Sequence, residues 1–595
     1  MARRLPLVCF VALASLALLA CCAPRAQPAA QPLRWLPLDE EGWSILRPAK
    51  DTRLIYVSSS SGDDATARAY SPGDPAIGAD PFRPRGPLKP FKTAQAALAH
   101  ARNGYPEWVL FKRGDVWDEP LGSPPSGRSP SAPLVIAAYG AGERRPQFRL
   151  RGSQRAIRFP IHADCHDIAI VGLEFYAPEK DPRSPEFSAK CRVKTALELY
   201  VSEKPAARAR RLLIEDCCFR FCGATLMVAR GRKREAAPAT EQLVFRRNLV
   251  LDNYARDSHC QGMYAARISI LLEENIFDHN GWLIRERGNR KDRGGATMFN
   301  HNTYFTDCHD VVFRGNMFLR ASSIGNKWTA NSGPASARNL VMEDNLYVEG
   351  EIGISIGGNA DGPRRFRNVK IANNVFLHIG RGRPTLRSLG WGIDVRDWDG
   401  GTIAGNILVH HPAPGVNNVH TLSIEASPRV GLCRDVVVRG NVFCGAPVLL
   451  RNTALVQNVV FANNRFLMPW EDRALISAQG ELRGFRFAEN SYWSRRPAGE
   501  WFALGGKPVA LARWAQAAGE QRASAVEPQL PQPQRTIENY MAHLALEPSF
   551  EAFLAEVRRQ SRANWRREFT AAAVNGWVRR GYGLAKAALQ AGPGG

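Results

Sequence analysis

The segment RASSIGNKWTANSG, residues 320–333, sets a lysine among small polar residues in an alternating, strand-like stretch. Period-two reading turns Lys327 and Thr329 outward and Trp328 inward. The same reading of IGISIGGN puts Ile354 and Ile356 inside and Ser355 outside, and WGIDVRDW puts Ile393 and Val395 inside with Asp394 and Arg396 outside. QGMYAAR turns Tyr264 out, and TMFNHNTYF contributes Asn300, His301, Asn302 and Tyr304 without a secure phase. Upstream, GWLIRERGNRKDRGG carries Arg285, Arg287, Arg290, Lys291 and Arg293, a basic lip for the same face. A lysine that burial and neighbouring cations push toward neutrality is a proton acceptor, and arginines beside it suit a polyanion. On this reading Lys327, His301, Tyr304 and Arg396 are the chemical candidates. Asn300, Asn302, Asn326, Tyr264, Arg293 and Asp394 are the binding candidates. DVRDWDGG offers a second chemistry: Asp394, Asp397 and Asp399 would hold calcium, or, with Glu425, supply the acidic pair of a hydrolase. The plain alternative for these aspartates is turn formation before Gly400-Gly401. Trp328 and Trp391 read as core or coil-end packing.

What positions these residues is a repeat. VFRRNLV, LLEENIF, VVFRGNMF, LVMEDNLY, VKIANNVF, GTIAGNIL, VVVRGNVF, VVFANNRF and FRFAENSY repeat one phrase, a short strand followed by Asn and an apolar residue. The asparagines are Asn248, Asn275, Asn316, Asn345, Asn374, Asn406, Asn441, Asn464 and Asn490, spaced 27, 41, 29, 29, 32, 35, 23 and 26 residues apart. IAIVGLEF and LLIEDCCF are degenerate earlier copies. Such a period marks a solenoid, and no copy contains the amphipathic helix of leucine-rich or helical repeats. An asparagine at one corner of each coil can bond its neighbour above, forming a ladder.

On these motifs the chain resembles the pectate-lyase-like superfamily, right-handed parallel β-helix proteins, across roughly residues 150–495. The fold expected is all-β, with an N-terminal helical cap from PLKPFKTAQAALAHA and a C-terminal helical segment from SFEAFLAEVRRQ. The expected organisation is a signal peptide over 1–20, a tether over 21–50, a cap and first coils over 51–150, the solenoid over 151–495, a linker over 496–534 and a helical segment over 535–595. The resemblance implies a polysaccharide lyase. There Lys327 would be the base, Arg396 or an arginine of the lip would neutralise a uronate carboxylate, and His301 or Tyr304 would move the second proton. A glycoside hydrolase, a C5-epimerase and a non-catalytic glycan-binding surface protein remain alternatives.

Arg3 and Arg4 precede an apolar run too short to span a bilayer comfortably, the form of an export signal. It closes on Leu18-Leu19-Ala20-Cys21, which resembles the bacterial lipobox and implies lipidation of Cys21. The chain is then expected to be exported and periplasmic or anchored to the outer membrane, with the cell surface as a further alternative. The formal charge is +23, of which residues 1–20 carry two, leaving +21. That charge favours an anionic partner. Export points to acidic polysaccharide, with membrane contact through the lipid only, no nucleic acid, and a monomer. No cofactor beyond optional calcium is expected. Of twelve cysteines, most read as core, with room for one or two disulfides whose pairing the sequence does not give.

Overall fold

A computed structural model describes residues 34–584 apart from 153, 161, 192–194, 203–206, 224, 230–238, 257, 287–292, 332–335, 358–365, 428–431 and 471. Cys21, Arg287, Arg290 and Lys291 lie outside the described residues. Three long sheets of 14, 13 and 13 strands run along a parallel β-helix, each coil giving one strand to each sheet. The first sheet runs from Leu54–Val57 to Phe485–Ala488, the second from Val116–Trp117 to Ser491–Ser494, and the third from Ile157–Arg158 to Phe502–Leu504. One antiparallel strand, Lys507–Val509, closes the third sheet.

The asparagine phrase makes the corner between the first and second sheets. The residue before each asparagine is left-handed: Arg247, Glu274, Asp344, Asn373, Asn463 and Glu489 have φ between 50° and 58°, and glycines fill the place at 315, 405 and 440. The asparagine then bonds upward and downward. Asn345 Oδ1 accepts from the backbone N–H and the side-chain amide of Asn316, both at 2.9 Å. Its own Nδ2 donates to Asn374 Oδ1 and to the carbonyl of Phe313, both at 3.0 Å. The degenerate coil keeps the geometry with cysteine in place of asparagine: the Cys217 N–H donates to Asn248 Oδ1 at 2.8 Å. At the other end Asn490 donates to Glu520, which replaces the missing next rung. Removing a rung leaves buried donors without acceptors. Asn345→Ala is therefore expected to cost about 3 kcal/mol of stability, read as a lowered urea midpoint with unchanged m.

Inside, aromatic side chains stack from coil to coil, with Phe318, Tyr347 and Phe376 separated by 5.1 and 4.5 Å. The ends are covered. The helix Ala94–His100, capped by Thr93, buries Ala94 and Ala97 over the first coils. At the far end the helix Leu511–Ala518 sets Trp514 against Phe502 and Phe487, at 4.8 and 5.3 Å. Residues 496–534 are thus more than the expected linker, since they hold the last strand and the C-terminal cap. The helices Ile537–His543, Phe550–Val557 and Ala571–Gly581 cover the outer face of the second sheet, including Leu249, Met317, Leu346 and Val375. This is why strands such as MFL and VFL are apolar on both faces. The expected tether also ends earlier: in 34–50, Trp43 is buried, Ser44 bonds Glu215, and Arg34 pairs with Glu273. No disulfide joins the nine described cysteines, eight of which are buried.

Candidate functional site

Six strands of the third sheet build the site: Met263–Ala266, His301–Thr306, Ile324–Thr329, Ile352–Ile356, Leu389–Arg396 and Asn418–Glu425. Their register aligns Tyr264, Tyr304, Lys327, Ser355, Asp394 and Ser423 in one row along the solenoid. A second row holds His301, Ile324, Ile352, Trp391 and His420. One row is polar and the other mainly apolar. Members of both rows line a cleft of about 740 Å³, with Arg387, Arg396, His259 and the exposed Phe299 at its sides.

Lys327 is the central group of the cleft and is only 9% exposed. Its Nζ donates to the Gly357 carbonyl at 3.0 Å and to Ser355 Oγ at 3.3 Å. Among the described residues no carboxylate forms an ion pair with it. Burial pushes its ammonium down to about 8, with Asp394 opposing and Arg396 reinforcing the shift. Asp394, two strands away, lies 3.4 Å from Ser355 Oγ and 3.4 Å from Arg396 Nε, and its buried Oδ1 has no hydrogen-bond partner among the described residues. Arg396 also reaches Glu425 at 3.5 Å. Burial, with Lys327 and Arg387 close by, pushes His301 well below its ordinary value, so its imidazole is neutral. The Tyr304 ring meets His301 and Tyr264 edge-on at 5.7 and 5.5 Å. Burial, reinforced by Tyr304, raises the Tyr264 phenol.

The structure thus brings together Lys327, His301, Tyr304, Tyr264, Asp394 and Arg396. It removes the asparagines from the binding set. Asn300 bonds the Gly281 carbonyl and the Cys260 N–H. Asn302 continues a second ladder, accepting from Asn280, which accepts from Asn253. Asn326 bonds Thr303 Oγ1 and the Tyr347 hydroxyl. All three are at most 1% exposed, because corner and interior amides must find partners within the coil. Arg293 is occupied by Glu286 outside the cleft, and Arg285, the other described member of the lip, does not line it either. The calcium reading of Asp394, Asp397 and Asp399 fails on direction. Asp394 faces the cleft and Asp397 accepts from the Ser427 N–H at 2.7 Å. Asp399 lies on the first sheet between Arg367 and Arg434. Among the described residues no cluster of three such ligands could hold a metal ion.

Sequence reading missed Arg387, which lines the cleft while bonding Glu351 and Ser323. It also misplaced Trp391. The indole belongs to the cleft, stacked on His420 at 5.0 Å and bonded to Asn418, not to the core or a coil end.

No family model matches the chain, and no curated protein matches it. Solved structures similar to it include a GH136 lacto-N-biosidase from Eubacterium ramulus, 13% identical over 80% of this chain and 68% of that one, with a TM-score of 0.33. A rhamnogalacturonan lyase is 12% identical over 55% of this chain and 84% of that one, TM-score 0.31. A mannuronic acid specific polysaccharide family 6 lyase from human gut microbiota is 14% identical over 70% and 89%, TM-score 0.34. Values this low identify neither a reaction nor a substrate for this chain.

Proposed function

We propose that the protein is an exported carbohydrate-active enzyme, a lyase that cleaves a uronate-containing polysaccharide by β-elimination. The observation that carries this reading is Lys327: a buried amine at the centre of an open cleft, held by a hydroxyl and a carbonyl rather than by a carboxylate. Such an amine loses its proton without breaking an ion pair. In the reaction its nitrogen takes the proton on the carbon beside the uronate carboxylate. The C–H electrons form a C=C bond, the glycosidic C–O bond breaks, and the departing oxygen takes a proton from Tyr304. Arg396 or Arg387 draws charge from the carboxylate, which acidifies that proton. The apolar row from Ile324 to Trp391 would carry the sugar faces. The chain's export, its anchoring through Cys21 and its action as a monomer belong to the same proposal.

The test is ultraviolet absorbance of the unsaturated uronate, followed while the full-length protein meets a panel of acidic polysaccharides. New absorbance supports elimination. New reducing ends without it move the chemistry to Asp394 and Glu425, the carboxylates gathered by Arg396, whose free Oδ1 on Asp394 favours hydrolysis as the second reading. The base must be neutral to act, so kcat/KM is expected to climb with pH and level off above about 8. A pH–rate profile falling across that range would exclude Lys327 as the base.

A further inference from the structure

A second cleft, of about 890 Å³, opens on the first sheet rather than the third, where strand Leu134–Tyr139 meets the corner at Gly172 and Asp216. It is within the range of small-ligand sites. Two side chains lining it are unfinished. Among the described residues, Arg113 Nη1 is buried and has no hydrogen-bond partner, and Asp216 Oδ2 is likewise buried without one. The two do not pair with one another. Asp216 spends its other oxygen on Arg145, at 2.6 Å, and on the Arg562 N–H, at 3.0 Å. Burial pushes the Arg113 guanidinium below its ordinary value; Asp216 opposes, while Arg145, Arg562 and Arg83 add to the fall. The cleft's remaining acids, Glu41 and Asp80, are exposed.

A buried donor and a buried acceptor left open together each cost free energy that a suitable ligand would recover. A bare phosphate answers the guanidinium but is repelled by the carboxylate oxygen. A ligand that joins an anionic group to a hydroxyl satisfies both, the anion accepting from Arg113 and the hydroxyl donating to Asp216. We infer that this cleft is a second, non-catalytic binding site for a sugar acid, with Arg113 taking its carboxylate and Asp216 its hydroxyl. That the sugar acid belongs to the enzyme's own polymer rests on the proposed function. In that case the site holds the chain at a distance from the catalytic cleft and raises its local concentration there.

The full-length protein is treated with an arginine-selective dicarbonyl, and modification of Arg113 is read by peptide mass mapping. Galacturonate and glucuronate are expected to protect Arg113 at least tenfold better than inorganic phosphate or neutral galactose at equal ionic strength. Arg113→Met is expected to remove one class of sugar-acid site from a calorimetric titration while leaving the melting temperature and turnover of short oligosaccharides unchanged. Absent protection, protection by phosphate equal to that by the sugar acids, or an unchanged titration in the variant would each overturn the inference. Elimination is assayed separately. Protection without elimination would keep this site and reject the lyase reading, and elimination without protection would do the reverse.

Discussion

Lys327→Met is expected to lower kcat/KM for elimination by roughly 10²–10⁴-fold, the range for loss of a positioned base, and at the same time to stabilise the fold at pH 7. The two effects have one cause. The folded protein holds this ammonium in a nearly dry place, and its pKa there is about 8 against the ordinary 10.5. Because the folded value is the lower one, the unfolded chain binds the proton more tightly. The penalty on folding is complete below about 8, shrinks as pH rises between the two values, and vanishes above the second. Its size is on the order of 3 kcal/mol. Losing the bond to the Gly357 carbonyl returns about 1 kcal/mol, leaving a net gain on the order of 2 kcal/mol. Denaturant unfolding of both proteins across pH 7 to 10.5 checks this, with the variant's advantage fading toward the alkaline end. A variant that loses activity but shows no pH-dependent gain would mean that Lys327 is not desolvated, and the case for it as a base would fail with it.

The solenoid was legible because its corners are chemically exacting. An asparagine following a left-handed residue is a rare combination, and nine copies of it state the period, the corner and the direction of stacking together. The cap of the ladder was not legible. Glu520 does the work of a tenth asparagine, and only its position after the helix Leu511–Ala518 brings it to Asn490. The covering of the second sheet was hidden for a related reason. Strands of three apolar residues, such as Leu249–Leu251 and Met317–Leu319, are too short to show whether one face or both are buried.

The site divides in the same way. Lys327, Asp394 and Arg396 were read correctly as outward because Trp328, Ile393 and Val395 anchor their strands to the core. Around His301 the alternation breaks, since Asn302 and Thr303 are consecutive and both fully buried. Asn302 is drawn into the second ladder and Thr303 bonds Asn326, which leaves His301 and Tyr304, three residues apart, lining the same cleft. A strict period of two assigns at least one of them wrongly. Arg387 lies in the stretch before its strand, and no periodicity points to such a residue. The arginine lip misled for the opposite reason: abundance of charge indicated an anion, while Glu286 takes up Arg293.

Arg246→Met is expected to cost about 3–5 kcal/mol near pH 7.5, the loss that follows when one partner of a buried ion-pair network is removed. Arg246 is 2% exposed beneath the N-terminal segment and binds three carboxylates. Its Nη1 donates to Glu215, its Nε lies 3.1 Å from Glu273, and its Nη2 lies 3.4 Å from Glu274. Glu215 is fully buried, and among the described residues the hydrogen bonds it keeps without the guanidinium come from Ser44, whose N–H and hydroxyl stand at 3.2 Å, with the Arg562 charge still acting on it. Glu273 retains Arg34 and is the less affected. Burial already raises Glu215 above its ordinary value even with Arg246 in place. Removing the cation raises it further, so the variant escapes part of the cost by protonating that carboxyl. A raised carboxyl favours folding at low pH and loses that advantage as pH climbs above the unfolded value. The deficit of the variant should therefore be small near pH 5 and grow toward pH 7.5. Adding Glu215→Gln removes the stranded charge and should recover more than half of the loss. Urea titrations of the two variants at both pH values separate this account from simple loss of packing, which would give a deficit independent of pH and no recovery in the double variant.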